Sequence, residues 1–99
     1  MRRAGSRPYA VAVRHATPDA LDRLEPFLAR LRELPGLIEK KRGVFYRRST
    51  AFLHFHEDQS GFYADVRLTD DFQRFRVETR AEQDGLLTRV RACLVPPGA

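Results

Sequence analysis

Four strand-length segments in the middle of the chain constrain its fold more than any other feature. Segments rich in aromatic and β-branched residues follow one another with only short interruptions. Because so few residues connect them, neighbouring segments can pair only in antiparallel fashion. We therefore predict a four-stranded antiparallel meander. Its strands are expected at Val44 to Arg48, Ala51 to Glu57, Phe62 to Thr69 and Phe72 to Val77, with loops at Ser49-Thr50, Asp58-Gln59-Ser60-Gly61 and Asp70-Asp71.

A helix is predicted on each side of these strands. Thr17-Pro18-Asp19 has the pattern of an N-cap, a proline at the first helical position and an acid in the first turn. Leucines then recur at helical spacing up to Leu34-Pro35-Gly36, although Pro26 is expected to kink or split this helix. Thr79 to Glu82 matches a capping box at the start of the second helix. The predicted fold class is α+β, with both helices packed on one face of the sheet.

The positive charge of the chain is concentrated at its amino terminus. Residues 1–16 contain four arginines and no acid, whereas residues 17–99 contain 14 basic and 13 acidic side chains. We therefore predict a basic, disordered tail at residues 1–16 and a single α+β domain at residues 17–95. A weak alternation from Tyr9 to Arg14 leaves an additional edge strand open. The single cysteine, Cys93, and the lack of a long apolar run predict a cytoplasmic protein without a membrane partner.

Alternation along the predicted strands divides their side chains into an apolar face and an open face. If Arg48 pairs with Ala51 and Glu57 pairs with Phe62, the apolar face suits the two helices. The open face then carries aromatic, basic and histidine side chains, and His54 has a cross-strand neighbour on each side. We predict that this face binds a protein or small-molecule partner through Phe45, Arg47, Phe52, His54, His56, Tyr63, Asp65 and Arg67.

The strongest chemical signal is His54-Phe55-His56. Histidines two apart on a strand project from the same face, about 6.6 Å from each other, so they could share a zinc, iron or nickel ion with Asp65 as a third ligand. Such histidines more often hydrogen-bond to a carboxylate, and we predict no catalytic residue, resident metal or cofactor. The leading hypothesis is a non-catalytic binding module. The alternatives are a small metal-dependent or His/Asp-based enzyme at these three residues, and a single-stranded nucleic-acid binder that stacks bases on the aromatic side chains.

Three short motifs resemble those of a family of small proteins called luciferase-domain proteins. They are Leu34-Pro35-Gly36, Phe52-Leu53-His54-Phe55-His56 and Ala64-Asp65-Val66-Arg67-Leu68, and the resemblance covers about residues 18–94. That family has a helix ending in a Leu-Pro-Gly-like turn, a Phe-x-His-x-His strand and an Asp-x-x-Leu strand, and the resemblance directs attention to His54, His56 and Asp65. Where the family has a glycine-containing stretch before the histidine strand, this chain has Tyr46-Arg47-Arg48-Ser49. Small α+β proteins of the YjbR type are similar at the level of the fold only.

Overall fold

The computed structural model describes residues 14–94, which form two helices and an antiparallel sheet in an α+β fold. No helix within residues 14–94 is long and apolar enough to cross a membrane. The elements are β1 (Arg14–His15), α1 (Pro18–Arg32), β2 (Ile38–Lys41), β3 (Val44–Arg47), β4 (Thr50–Asp58), β5 (Gly61–Val66), β6 (Gln73–Arg76) and α2 (Arg80–Leu94).

Five strands form the sheet in the order β2-β3-β4-β5-β6, and the short β1 also pairs with β4. The predicted meander is present as β3 to β6, but four strands is too few. β2 was missed because three of its four residues are charged, which is not a strand pattern. β1 was missed because Arg14–His15 was assigned to the disordered tail. Residues 1–13, which include most of the Tyr9 to Arg14 segment, lie outside the described residues.

Both helices begin at the caps that the sequence predicts. The hydroxyl of Thr17 accepts a hydrogen bond from the backbone N–H of Ala20 at 3.2 Å. At the second helix, Glu82 N donates to Thr79 Oγ1 at 3.1 Å and Thr79 N donates to Glu82 Oε1 at 3.0 Å, which is a complete capping box. Pro26 lies inside α1, which is a single helix of 15 residues. The alternative in which Pro26 splits the helix is therefore wrong.

The two helices cover one face of the sheet and enclose the core with it. Phe27 of α1 meets Phe55 of β4 edge-on, with ring centroids 6.0 Å apart. At the surface, Arg30 of α1 donates to Asp84 of α2 at 2.6 Å and joins the two helices. The core combines apolar side chains from α1 and α2 with those of the sheet, which are Phe45, Phe52, Leu53, Phe55, Phe62, Ala64 and Val66.

A β-bulge on β4 changes the side-chain faces predicted for β3. Phe45 pairs with Leu53, whereas Tyr46 pairs with Ala51, so Phe52 is one extra residue on β4. An extra residue exchanges the two faces on one side of the bulge. Phe45 therefore points into the core and is 1% exposed, and Phe52 at the bulge is 2% exposed. The prediction that these two aromatic side chains lie on the open face is wrong.

The turn between β3 and β4 lies one residue earlier than predicted. It consists of Arg48 and Ser49, which both have positive φ angles, of 53° and 70°. Two successive residues with positive φ are typical of the tight turns that match the twist of a hairpin. Arg47 consequently pairs with Thr50, and the predicted pairing of Arg48 with Ala51 is wrong.

Candidate metal centre

On the sheet face opposite the helices, β4 and β5 pair in the register that the sequence predicts. His54 pairs with Asp65 and His56 pairs with Tyr63. Directly paired residues of antiparallel strands project to the same side, so these four side chains share the open face. The sequence could predict this part of the site because the turn after Asp58 fixes the register.

All three histidines of the chain converge on this face. His15, His54 and His56 each offer one ring nitrogen, and these three nitrogens lie within 4.8 Å of one another. The ring of His15 stacks on that of His56 with a centroid distance of 4.9 Å, and His54 meets His56 edge-on at the same distance. His15 is exposed and the other two are half-buried. We call these three residues the histidine cluster.

His15 is held in the histidine cluster by the segment that leads into α1. Its strand lies against β4, and the next residue, Ala16, donates its backbone N–H to the carbonyl of Phe55 at 3.1 Å. The N–H of Thr17 then donates to Glu57 Oε2 at 2.7 Å. Because Thr17 is also the N-cap of α1, the helix start and the central strand together position His15.

Asp65 links the histidine cluster to the guanidinium of Arg74. Its Oδ2 lies 3.0 Å from His56 Nε2, and both carboxylate oxygens accept hydrogen bonds from Arg74, at 2.7 and 2.9 Å. Burial raises the pKa of Asp65, but Arg74 and His56 together outweigh this effect and hold the pKa below its ordinary value. Asp65 is therefore a carboxylate at neutral pH. When His56 bonds to it through Nε2, Nδ1 is the ring nitrogen that can bind a metal.

His54 presents a buried nitrogen. Its Nδ1 is inaccessible to solvent and has no hydrogen-bond partner among the residues described. Phe72 lies edge-on to the ring at a centroid distance of 5.0 Å. Burial lowers the pKa of His54, and a positive charge on His56 lowers it further. His54 is therefore neutral at neutral pH, which is the form that binds metals.

Two further residues of the predicted site border the histidine cluster without belonging to it. Tyr63 pairs with His56, and its hydroxyl is hydrogen-bonded to the hydroxyl of Ser60. The guanidinium of Arg67 lies 4.3 Å from the ring centroid of Phe72, and that ring in turn packs edge-on against His54.

The remaining predicted residues lie elsewhere. Phe45 and Phe52 are core residues. Arg47 extends to the helix side, where its Nη1 lies 3.5 Å from Cys93 Sγ of α2. The residue that sequence reasoning missed is His15, and the weak strand signal from Tyr9 to Arg14 was the one feature that pointed to it.

A pocket of about 470 Å³ opens beside the histidine cluster. It lies where the end of β1, the start of α1 and the turn between β2 and β3 meet β4. His15 and His54 form one side of it, and apolar side chains such as Leu21, Val44 and Phe55 form much of the rest. Two of the three cluster residues therefore face a space large enough for a small molecule.

Comparison with known proteins gives no family for this chain. No family model matches it, and no curated protein or solved structure matches it. The resemblance to luciferase-domain proteins and the YjbR analogy remain predictions that rest on the sequence motifs. The histidine cluster has to be interpreted from its own geometry.

Proposed function

We propose that this protein binds one divalent transition-metal ion, with zinc as the preferred ion, at His15, His54 and His56. The observation that carries this proposal is that all three histidines of the chain bring a ring nitrogen within 4.8 Å of the other two. Neutral imidazole is a common ligand of zinc and of related ions. The proposal develops the metal alternative of the sequence, with His15 replacing Asp65 as the third ligand.

The three nitrogens lie within 4.8 Å of one another, so side-chain rotation has to bring them closer together before they share a metal ion. Zinc–nitrogen bonds of about 2.0–2.1 Å at tetrahedral angles place the ligand atoms about 3.3 Å apart. His54 and His56 stand on the central strand, which has paired neighbours on both sides. His15 is exposed, so rotation of its side chain can shorten its distances to the nitrogens of His54 and His56 without repacking the core.

A bound ion also accounts for the buried nitrogen of His54 better than packing alone. Leaving a buried polar atom without a partner costs about 1–3 kcal/mol, and Nδ1 of His54 has no hydrogen-bond partner among residues 14–94. A metal bond would remove that cost. The Asp65 carboxylate beside His56 has the arrangement of the outer-shell carboxylates that orient metal-binding histidines.

The leading sequence hypothesis, a binding module that uses an aromatic and basic face, has less support. Two of its three aromatic side chains, Phe45 and Phe52, are buried, and Arg47 contacts α2 instead. The same burial weakens the nucleic-acid alternative. A three-histidine centre keeps a fourth coordination position open, so both a binding role and metal-dependent catalysis are compatible with it. We also propose a cytoplasmic location, on the ground of the single cysteine.

Calorimetric titration of the metal-free full chain with Zn²⁺ tests the proposal. We expect saturable binding of one ion per chain, and loss of more than 100-fold in affinity in His15→Ala, because a ligand matters more than an outer-shell residue. His15 is exposed, so its removal should leave the fold intact. Glu33→Gln, which alters an exposed residue at the far end of α1, is the control. Zinc binding that is absent, or equally strong in His15→Ala, would refute the three-histidine centre.

A further inference from the structure

We propose that the pocket beside the histidine cluster binds a small organic acid with an apolar body, whose carboxylate completes the coordination of the metal. This inference rests on the proposed metal centre and names the ligand class for it. The pocket has a volume of about 470 Å³, which is within the range of small-molecule sites. Because His15 and His54 belong both to the histidine cluster and to the pocket wall, the pocket lies next to the proposed ion.

The walls of the pocket favour an apolar body. Leu21 of α1, Val44 of β3 and Phe55 of β4 contribute to it. Gly43 keeps this space open, since a Cβ at this position would lie 2.8 Å from a methyl carbon of Leu21. Its φ of +81° is also one that other residues rarely adopt. The close packing of the turn against α1 thus shapes the pocket wall.

The charge around the pocket favours an acid. No acidic side chain among the described residues lines it, whereas Lys41 and Arg42 both do. Arg42 is already neutralised by Asp22 at 2.7 Å and Glu25 at 2.8 Å. Lys41 makes no ion pair within the part of the chain that the structure describes, so its charge is available to a ligand.

The three imidazole ligands of the proposed ion also favour an acid. Three neutral imidazoles bring no negative charge to a zinc ion, and Asp65, which does not line the pocket, is already paired with Arg74. An anion at the fourth position is therefore favoured over a neutral donor. A carboxylate bonded to the ion compensates part of its charge, and an apolar substituent on that carboxylate can pack against Leu21 and Val44.

Titration with phenylacetate tests this inference, and the neutral phenylacetamide is the matched control ligand. We expect phenylacetate to bind the zinc-loaded protein at least tenfold more tightly than the metal-free protein, and phenylacetamide to show no such difference. Lys41→Gln should weaken phenylacetate binding about two- to fivefold, as for an exposed ion pair. Ala51→Leu, which fills the pocket from β4, should abolish phenylacetate binding and leave zinc affinity unchanged.

The outcomes separate this inference from the proposed function. Zinc binding without zinc-dependent phenylacetate binding would overturn the ligand assignment and keep the metal centre. Absence of zinc binding would overturn both. If Ala51→Leu does not fold, amide NMR of the zinc-loaded wild-type protein decides: phenylacetate should shift the resonances of Leu21, Val44 and Ala51, and shifts confined to other residues would refute the pocket.

Discussion

Replacement of Asp65 by asparagine is expected to lower the affinity for zinc by about 10- to 100-fold, as for other outer-shell partners of metal-binding histidines. The carboxylate lies 3.0 Å from His56 Nε2 and is 14% exposed. Asparagine keeps the shape and one oxygen acceptor but removes the charge that increases the basicity of His56. The expected loss corresponds to about 1.4–2.7 kcal/mol of binding free energy.

The same substitution should change the stability of the metal-free protein much less. Arg74 loses a bidentate partner, but its side chain is 40% exposed, so water can solvate the guanidinium. Exposed ion pairs contribute about 0–1 kcal/mol, and we expect a change of that order. A zinc affinity that falls while the free energy of unfolding stays nearly constant is the signature of a positioning residue.

Competition titration with a chromophoric chelator at pH 7.5 measures the zinc affinity, and urea denaturation measures the stability. Glu33→Gln, which removes one exposed charge far from the histidine cluster, controls for net charge. Unchanged zinc affinity in Asp65→Asn would refute a positioning role. A loss above about 1,000-fold, together with normal affinity in His15→Ala, would show that Asp65 is itself the third ligand, as the sequence suggested.

Three further predictions concern the fold and its response to pH. Burial and His56 lower the pKa of His54 below 6.5, so the unfolded chain binds more protons than the folded protein just below that pH. Urea denaturation of the metal-free protein should therefore show a free energy of unfolding that falls as the pH drops below 6.5. His54→Phe should reduce this slope. Phe45→Ala should lower the free energy of unfolding by about 3–5 kcal/mol in the same assay. Tyr46→Ala, at a half-buried side chain, should lower it less, and equal losses would indicate that Phe45 lies on the open face. Thr79→Ala should cost about 0.5–2 kcal/mol, seen as a drop in Tm of about 4–8 °C per kcal/mol, and an unchanged Tm would contradict the capping box.

The parts of the fold that the sequence predicted are those specified by local chemistry. The capping box of Thr79 and Glu82 and the cap at Thr17 each require residues within one helical turn. The turn after Asp58 is similarly local, because the Asp58 carboxylate accepts the backbone N–H of Ser60 at 2.7 Å. That turn sets the pairing of β4 with β5, and with it the common face of His54 and Asp65.

The incorrect parts depend on features without a local signature. A bulge at Phe52 needs no special residue, yet one extra residue reverses the face of Phe45. The turn at Arg48–Ser49 uses positive φ angles at residues that rarely adopt them. No pattern in either segment distinguishes this arrangement from the regular hairpin that the alternation predicted.

The third histidine illustrates the same limit for the site. His54 and His56 share a face because of their spacing on one strand. His15 joins them only through the pairing of β1 with β4, which is a contact between distant parts of the chain. A two-residue strand after an arginine-rich segment carries too little periodicity to be recognised, so Asp65 was the nearest third ligand that the sequence offered.

The shortness of β1 gives the proposed metal a structural consequence. Two paired residues, the hydrogen bonds of Ala16 to Phe55 and Thr17 to Glu57, and the stacking of His15 on His56 hold this segment to β4. A metal bond to His15 would add a link between β1 and β4. At a zinc concentration 100 times Kd, binding stabilises the folded state by about 2.7 kcal/mol. Because His15 and Ala16 also line the pocket, the ion that joins the histidine cluster would fix one wall of the ligand site as well.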